Sequence, residues 1–339
     1  MKFDFDEYEK RLLLIKQEVE QGKGSIGGIA KKYEINPNSA VASFHLKGWG
    51  ELVGASDSTG EIEILDFVKS FGFEASKTRR LIAPNEVDVY IESKKVAIEY
   101  CGVYWHSEAN NKNNKYHLQK QIACNEQGVR LITIFEDEWF YRNKQCKNFI
   151  KSVLGIHEKK VFARKCEIKE ASGSEAREFL EENHIQGAGG VKIAFGLYSD
   201  DILLSVITGN LHHRNRKSKE LVLNRMAFKD GVQIVGGASK MLRALKSWAI
   251  SNGYSKIISW SDNRWSEGNV YEKLGFNLEE ELAPDYSYVK GQKRLAKQSC
   301  TKRNLAKMGG VGSTEQEMAK SLGLYRIWDC GKKRWVIDL

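Results

Sequence analysis

Hydrophobic and polar positions alternate most clearly between Pro84 and Glu108, in the run PNEVDVYIESKKVAIEYCGVYWHSE. Val89 and Ile91, then Val96 and Ile98, are apolar at a spacing of two, with Glu92, Ser93, Lys94 and Lys95 between them, which predicts a β-hairpin. If Ile91 pairs with Val96, Val89 faces Ile98 and Asp88 comes opposite Glu99, so both carboxylates share one face. A helix is predicted from about Tyr116, with Leu118, Ile122 and, less strictly, Cys124 seating it, and a buried strand from Leu131 to Phe135 that ends in acids. Upstream, Ser58 and Glu61 form an SxxE capping box before the apolar stripe Ile64, Leu65 and Val68. Glu61 lies on that same stripe, which leaves both a cap and a site role open to it.

Near the N-terminus, Ser25 can cap a short helix carrying Ile26, Ile29 and Ala30, and Asn36-Pro37-Asn38 breaks it before a second helix. Two short helices about a tight turn suggest a helix-turn-helix. Its inner face would hold Ile26, Ile29, Ala30, Ile35 and Val41, with Asn38, Ser39, Ser43 and His45 available to a DNA groove.

A chain of 339 residues is too long for one ordinary core. Polar and glycine-rich stretches at 48–60 and near 155–160 divide it into segments 1–50, 58–155 and 161–339. No apolar run approaches the ~20 residues of a membrane span, and the first residues lack a signal peptide's pattern, so a membrane protein is excluded and the cytoplasm is the expected place. Six cysteines, none in a CxxC pair, read as reduced and mostly buried. With 53 Lys and Arg against 44 Asp and Glu, the net charge of +9 favours a polyanionic partner. The run 290–307 holds Lys290, Lys293, Arg294, Lys297, Lys302, Arg303 and Lys307 without one acid. Such a stripe suits a phosphate backbone.

Paired carboxylates with Cβ atoms about 4.5 to 5.5 Å apart repel unless a cation lies between them, and a hard dication turns that repulsion into coordination. Asp88 and Glu99 are therefore candidate Mg²⁺ or Mn²⁺ ligands. His106 follows the second strand behind Tyr104 and Trp105, and His117 and Lys120 begin the next helix one turn apart. The acids Glu136, Asp137 and Glu138 read as a solvated strand end.

The order SxxExxI helix, Asp-bearing strand, IEYCGVYWH strand, YHLQK helix and IFEDEW strand resembles the very short patch repair endonucleases and the phage EDxHD homing endonucleases. Both are variants of the PD-(D/E)xK nuclease fold. The resemblance covers about residues 58–145 and implies Asp88 as central metal ligand, with Glu61, Glu99, His106 and His117 around a scissile phosphate. It implies His106 as general acid or base, His117 as a second proton carrier, and Lys120 as a charge neutraliser. Cys101 departs from the family, since the common ExK pattern has lysine there.

From Val161 onward a strand, the helix EAREFLEENH, strands around IAFGLY, ILLSVITG and LVLNRMAF, a long helix, KIISWSD and NVYEKLGF follow in order. This order resembles the GNAT acyltransferases. Gln233, Gly236, Gly237 and Ala238 match the family's Q/RxxGxG/A phosphate loop, and Tyr271 stands where an acyltransferase's general acid would. Ser261, Asp262 and Asn263, with Arg264 and Trp265, are placed to line a nucleotide-reading pocket, and Mom-type DNA-modifying proteins also have GNAT-like folds. The tail LYRIWDCGKKRWVIDL reads as a closing hairpin.

The fold expected is mixed α/β: a small N-terminal helical domain, a central restriction-endonuclease-like mixed sheet with helices, and a C-terminal GNAT-like domain with a basic extension. The function expected is that of a metal-dependent, site-specific endonuclease of the homing type acting on double-stranded DNA. DNA contacts would come from Asn38, Ser39, Ser43, Lys293, Arg294, Lys297, Lys302 and Arg303. Acetyl-CoA is not expected to be required, and a homodimer is left open. The alternative is an acyltransferase that modifies a nucleobase or a protein, with the nuclease-like segment serving to target DNA.

Overall fold

The computed structural model describes residues 4–53, 59–212, 214–215 and 217–339. Ser58, half of the expected capping box, lies outside them. The chain separates into two compact units, Met1–Tyr141 with Pro284–Cys330, and Arg142–Ala283 with Gly331–Leu339. These units differ from the expected division at 50/58 and 155/161. Residues 142–155 go with the second unit, and the basic extension returns to the first.

In the first unit, α1 (Phe5–Glu20), α2 (Ile26–Lys32) and α3 (Pro37–Leu46) begin at Asp4, Ser25 and Asn36, whose side chains accept from backbone N–H groups of each first turn. Their apolar faces close on Tyr8, Leu12, Ile15, Ile26, Ile29 and Phe44. α4 (Thr59–Lys69) leads to β1 (Ser76–Thr78), β2 (Val87–Ile91), β3 (Val96–Cys101), α5 (Tyr116–Glu126), β4 (Arg130–Phe135) and α6 (Glu136–Tyr141). The sheet order is β1-β2-β3-β4, antiparallel except for the β3–β4 pair. The hairpin has the expected register, Ile91 to Val96, Tyr90 to Ala97 and Val89 to Ile98. Beyond that rung the Asp88 carboxylate accepts the Tyr100 N–H at 2.8 Å. A side chain thus replaces the next backbone rung, and Asp88 is held against the sheet.

The second unit follows as α7 (Asn143–Leu154), β5 (Lys159–Phe162), β6 (Glu167–Glu170), α8 (Gly173–Asn183), β7 (Ile193–Ser199), β8 (Ile202–Leu211), β9 (Glu220–Phe228), β10 (Val232–Val235), α9 (Gly237–Ser251), β11 (Lys256–Asp262), α10 (Asn269–Lys273) and β12 (Asn277–Leu282). The chain then supplies β13 (Tyr286–Lys290), β14 (Lys293–Ala296), α11 (Lys302–Lys307), α12 (Glu315–Ser321) and β15 (Tyr325–Trp328) to the first unit, before β16 (Lys332–Asp338) completes the second. Val289 and Ile327 bury with Cys101, Val103 and Phe135, which explains why this insertion belongs to the first unit. The expected closing hairpin does not form, because β15 pairs with β13 while β16 lies between β12 and β11.

The large sheet runs β12-β16-β11-β9-β8-β7-β6. Strand alternation sends Ile193, Ile207 and Leu221 to the face covered by α9, and Ala194, Val206 and Ala227 to the face covered by α8. Among the described residues, no helix is long and apolar enough to cross a membrane.

Candidate functional site

Each unit brings polar side chains together. In the first, Asp88 on β2 and Glu99 and Cys101 on β3 meet His117 and Lys120 of α5, which lie one turn apart and so point the same way. His106 follows in the turn after β3, held by its own N–H donating to the Gly102 carbonyl at 3.0 Å. Its Nδ1 lies 3.1 Å from His117 Nε2, and the two rings stack with centroids 5.3 Å apart. Lys120 Nζ donates to Glu99 Oε1.

Glu61 is not at the centre of this cluster. It pairs with Lys77 at 2.9 Å, and the same ammonium lies 3.1 Å from Glu86 and 3.7 Å from Asp88. Lys77 and Glu86 went unnoticed in the sequence, where a lysine on a three-residue edge strand gives no signal. Burial, then Glu61, raises the Asp88 carboxyl to about 6. Burial and the neighbouring Asp88 push Glu99 up as well, against the pull of Lys120. Burial, then His117 and Lys120, holds His106 well below the ordinary imidazole range.

The oxygen donors do not fit a hard dication as they stand. Mg²⁺ needs near-octahedral oxygen ligation, yet Lys77 and Lys120 already neutralise these carboxylates and the single uncommitted buried oxygen among them is Glu99 Oε2.

The expected DNA-reading face is corrected too. Ser39 is fully buried and donates to Glu136 Oε1 at 2.7 Å, while Ser43 is buried and bonded to the Tyr8 hydroxyl at 2.9 Å. Asn38 reaches the Tyr100 hydroxyl at 3.3 Å. The small serines let α3 pack closely, turning its polar side inward. The acids after β4 are not a solvated strand end: they open α6, and Glu136 accepts from Ser39 and from the Val103 N–H at 2.8 Å. Burial raises its carboxyl to about 7.

In the basic run, Arg294 is engaged by Asp137 and Glu138, each at 2.8 Å, and Lys297 by Asp285 at 3.0 Å. Lys293 lies over the Tyr141 ring. Lys302, Arg303 and Lys307 of α11 are exposed, with the Lys302 ammonium bonded to the Ser313 carbonyl.

In the second unit the parallel strands β9 and β11 pair at only three rungs, Glu220 to Lys256, Leu221 to Ile257 and Val222 to Ile258, although both strands continue. A cleft opens beyond. At its apex Ser259 Oγ donates to the Leu223 carbonyl at 2.9 Å, and the Tyr271 hydroxyl lies 3.0 Å from Ser259 Oγ. Asn224 is the extra residue of a bulge on β9, since Leu223 faces Gly209 and Arg225 faces Thr208. Arg225 donates to the carbonyls of Asn224 at 2.8 Å and Gly187 at 3.3 Å. A cavity of about 300 Å³ here is lined by Gln186, Asn210, Asn224, Arg225, Trp260 and Asp262.

Two contacts of α7 brace the open strand ends: Lys151 pairs with Asp230 at 2.8 Å, and the Phe149 ring meets Trp265 with centroids 5.1 Å apart. The Ser261–Trp265 cluster is structural in part, with Ser261 accepting from Trp335 Nε1 at 2.9 Å and Asp262 bound by Arg264 at 3.0 Å.

β10 delivers Gln233 and the glycine pair to the start of α9. Gly236 has φ +78, open to glycine but strained for other residues, and a Cβ on Gly237 would lie 2.9 Å from the Phe228 ring. The N-cap Gly236 makes no side-chain cap bond, and the first-turn N–H groups form the helix's positive end.

No family model matches the chain, and no curated protein matches it. Among solved structures, it is similar to a Bacillus subtilis acetyltransferase in complex with CoA, at 14% identity over 52% of this chain and 99% of that one, TM-score 0.32. An IAA acetyltransferase from Bacillus cereus matches at 14% identity over 51% of this chain and 99% of that one, TM-score 0.33. The ribosomal-protein-S18-alanine N-acetyltransferase from Escherichia coli matches at 11% identity over 51% and 93% of the two chains, TM-score 0.33. The chain is mixed α/β, and the acetyltransferases it is similar to cover about half of it. The expected DNA endonuclease is corrected: the solved structures named here are acetyltransferases, and the carboxylates nominated for its metal are held by lysines.

Proposed function

We propose that the second unit is a GNAT-type acyltransferase that takes acetyl-CoA at the cleft between β9 and β11, and that the first unit carries it to double-stranded DNA. The observation behind this reading is the parting of two parallel strands after three rungs, with the Tyr271 hydroxyl lodged between them. A continuous sheet would have no use for a bulge, a buried tyrosine hydroxyl and a polar cavity at one place.

Gln233, Gly236, Gly237 and Ala238 would hold the cofactor's diphosphate, because an uncapped helix start presents N–H groups and positive potential to an anion. A Cβ on Gly237 would meet Phe228 and Ile234, so glycine there lets the start of α9 pack closely on the core. Bound acetyl-CoA would supply a thioester, whose carbonyl carbon would bond to an acceptor amine as the carbon–sulfur bond breaks and the amine gives up a proton to water. Burial raises the Tyr271 phenol and keeps it protonated at neutral pH, so Tyr271 has a proton to give the departing thiolate. Gln186, Asn210 and Asn224 offer neutral donors and acceptors beside Trp260, suited to orienting a nucleobase or peptide amine without repelling it.

Free thiol released from acetyl-CoA, with mass spectrometry of the acceptor, tests this reading. Release is expected with double-stranded DNA or a lysine peptide present, with acetyl appearing on that acceptor. Acetyl-CoA left intact with both acceptors by folded protein would overturn it.

Lys302, Arg303 and Lys307 are the DNA contacts favoured by exposure. Each phosphate contact adds about 0.9 to the slope of log K against log salt. Replacing all three by Gln is expected to reduce that slope by about 2 to 3 in fluorescence anisotropy titrations, and an unchanged slope would remove α11 from the interface.

A further inference from the structure

We infer that Cys101, His106 and His117 form a binding site for a tetrahedral transition-metal ion, Zn²⁺ in the first instance. One ligand atom from each lies within 4.8 Å of the other two. Nitrogens that both bind zinc at 2.0–2.1 Å sit about 3.3 Å apart in a tetrahedron. The His106 Nδ1 to His117 Nε2 distance of 3.1 Å is already close to this.

The three donors come from elements the fold fixes independently. Cys101 ends β3, where it pairs with Phe135 of β4. His106 belongs to the turn closed on Gly102, and His117 to the first turn of α5. Tyr116 packs its ring 5.5 Å from His106 and 5.2 Å from His117, which limits how far either imidazole can turn away.

A second observation points to a cation nearby. Glu99 Oε2, two residues before Cys101 on the same face of β3, is buried without a hydrogen-bond partner. A buried carboxylate oxygen left unpaired is costly. A metal beside it, or a metal-bound water, would complete its shell. Three protein ligands leave one position of a tetrahedron for that oxygen or water.

The donor set also chooses the metal. Sulfur and imidazole ligands suit Zn²⁺ and its neighbours, whereas Mg²⁺ and Mn²⁺ prefer oxygen. The soft donors converge here, while lysines hold the oxygen donors.

The full-length protein, stripped with chelator and dialysed, should take up one equivalent of Zn²⁺ by elemental analysis. With Co²⁺ in its place it should show the intense visible bands of a tetrahedral site and a thiolate charge-transfer band. Cys101→Ser should abolish the charge-transfer band, and His117→Gln should weaken metal affinity by about 100-fold or more, beyond the usual 10- to 100-fold effect of an outer-shell partner. Cys124→Ser, a buried thiol outside the trio, should change neither. If Cys101→Ser fails to fold, zinc-edge X-ray absorption on the wild type decides, with one sulfur near 2.3 Å and nitrogens near 2.0–2.1 Å expected. No stoichiometric uptake, a sulfur-free octahedral cobalt spectrum, or a charge-transfer band surviving in Cys101→Ser would overturn the site.

Discussion

Gly268→Ala is expected to destabilise the second unit by about 2 to 5 kcal/mol. Gly268 has φ +92, and a Cβ there would lie 2.2 Å from Trp335 Cζ2. A side chain in the left-handed region costs ~1–2 kcal/mol, and overfilling a packed site adds ~1–3 kcal/mol. Trp335 has little freedom to yield, being almost fully buried and bonded through Nε1 to Ser261. It also stacks on Tyr271 with ring centroids 5.4 Å apart, so any yielding moves the hydroxyl at the cleft apex. Gly253 provides the control: its φ is +77, yet nothing lies within 4 Å of its would-be Cβ. Urea unfolding should show Gly253→Ala losing only the backbone part. Equal losses at the two glycines would mean that Trp335 is not held as described.

Tyr271→Phe is expected to lower kcat for acetyl transfer by about 100-fold or more, the usual range for loss of a positioned proton donor, with KM for acetyl-CoA little changed. The substitution keeps the ring that stacks on Trp335. Ser259 retains its bond to the Leu223 carbonyl, so the apex of the cleft is not dismantled. Fold and cofactor binding should therefore survive while turnover falls. A variant with normal turnover would reduce Tyr271 to a packing residue.

Local pattern made much of the fold legible. The period-two runs 89–91 and 96–98 yielded the hairpin register, because slipping by one residue would have turned Val89, Ile91, Val96 and Ile98 out of the core. Ser25 announced its helix through capping chemistry that depends on neighbours alone, while Asn36, legible only as part of a helix break, caps the next helix. The structure brings His106 beside His117 and Lys120 beside Glu99, as strand alternation and helix spacing dictate.

What failed depended on partners remote in sequence. Ser39 and Ser43 look like exposed helix positions until Glu136 and Tyr8 arrive from elsewhere in the chain. Arg294 looks like a phosphate ligand until Asp137 and Glu138 take it. The run 325–338 looks like a hairpin because nothing local says that its two strands join different sheets. Cys101 registered as a missing lysine, and only the fold shows it beside two histidines.

The central claim is that the parted strands and the glycine-bearing start of α9 form an acyl-CoA site. Isothermal titration of CoA into the wild type and Ala238→Asp tests it most directly. Asp in a first helical turn favours the helix, so the variant should fold as well as the wild type while placing a carboxylate where the diphosphate would bind. The account expects one CoA per wild-type chain and about 100-fold or greater loss in Ala238→Asp. Wild-type protein that is folded yet binds no CoA, or a variant that binds it equally well, would contradict the account.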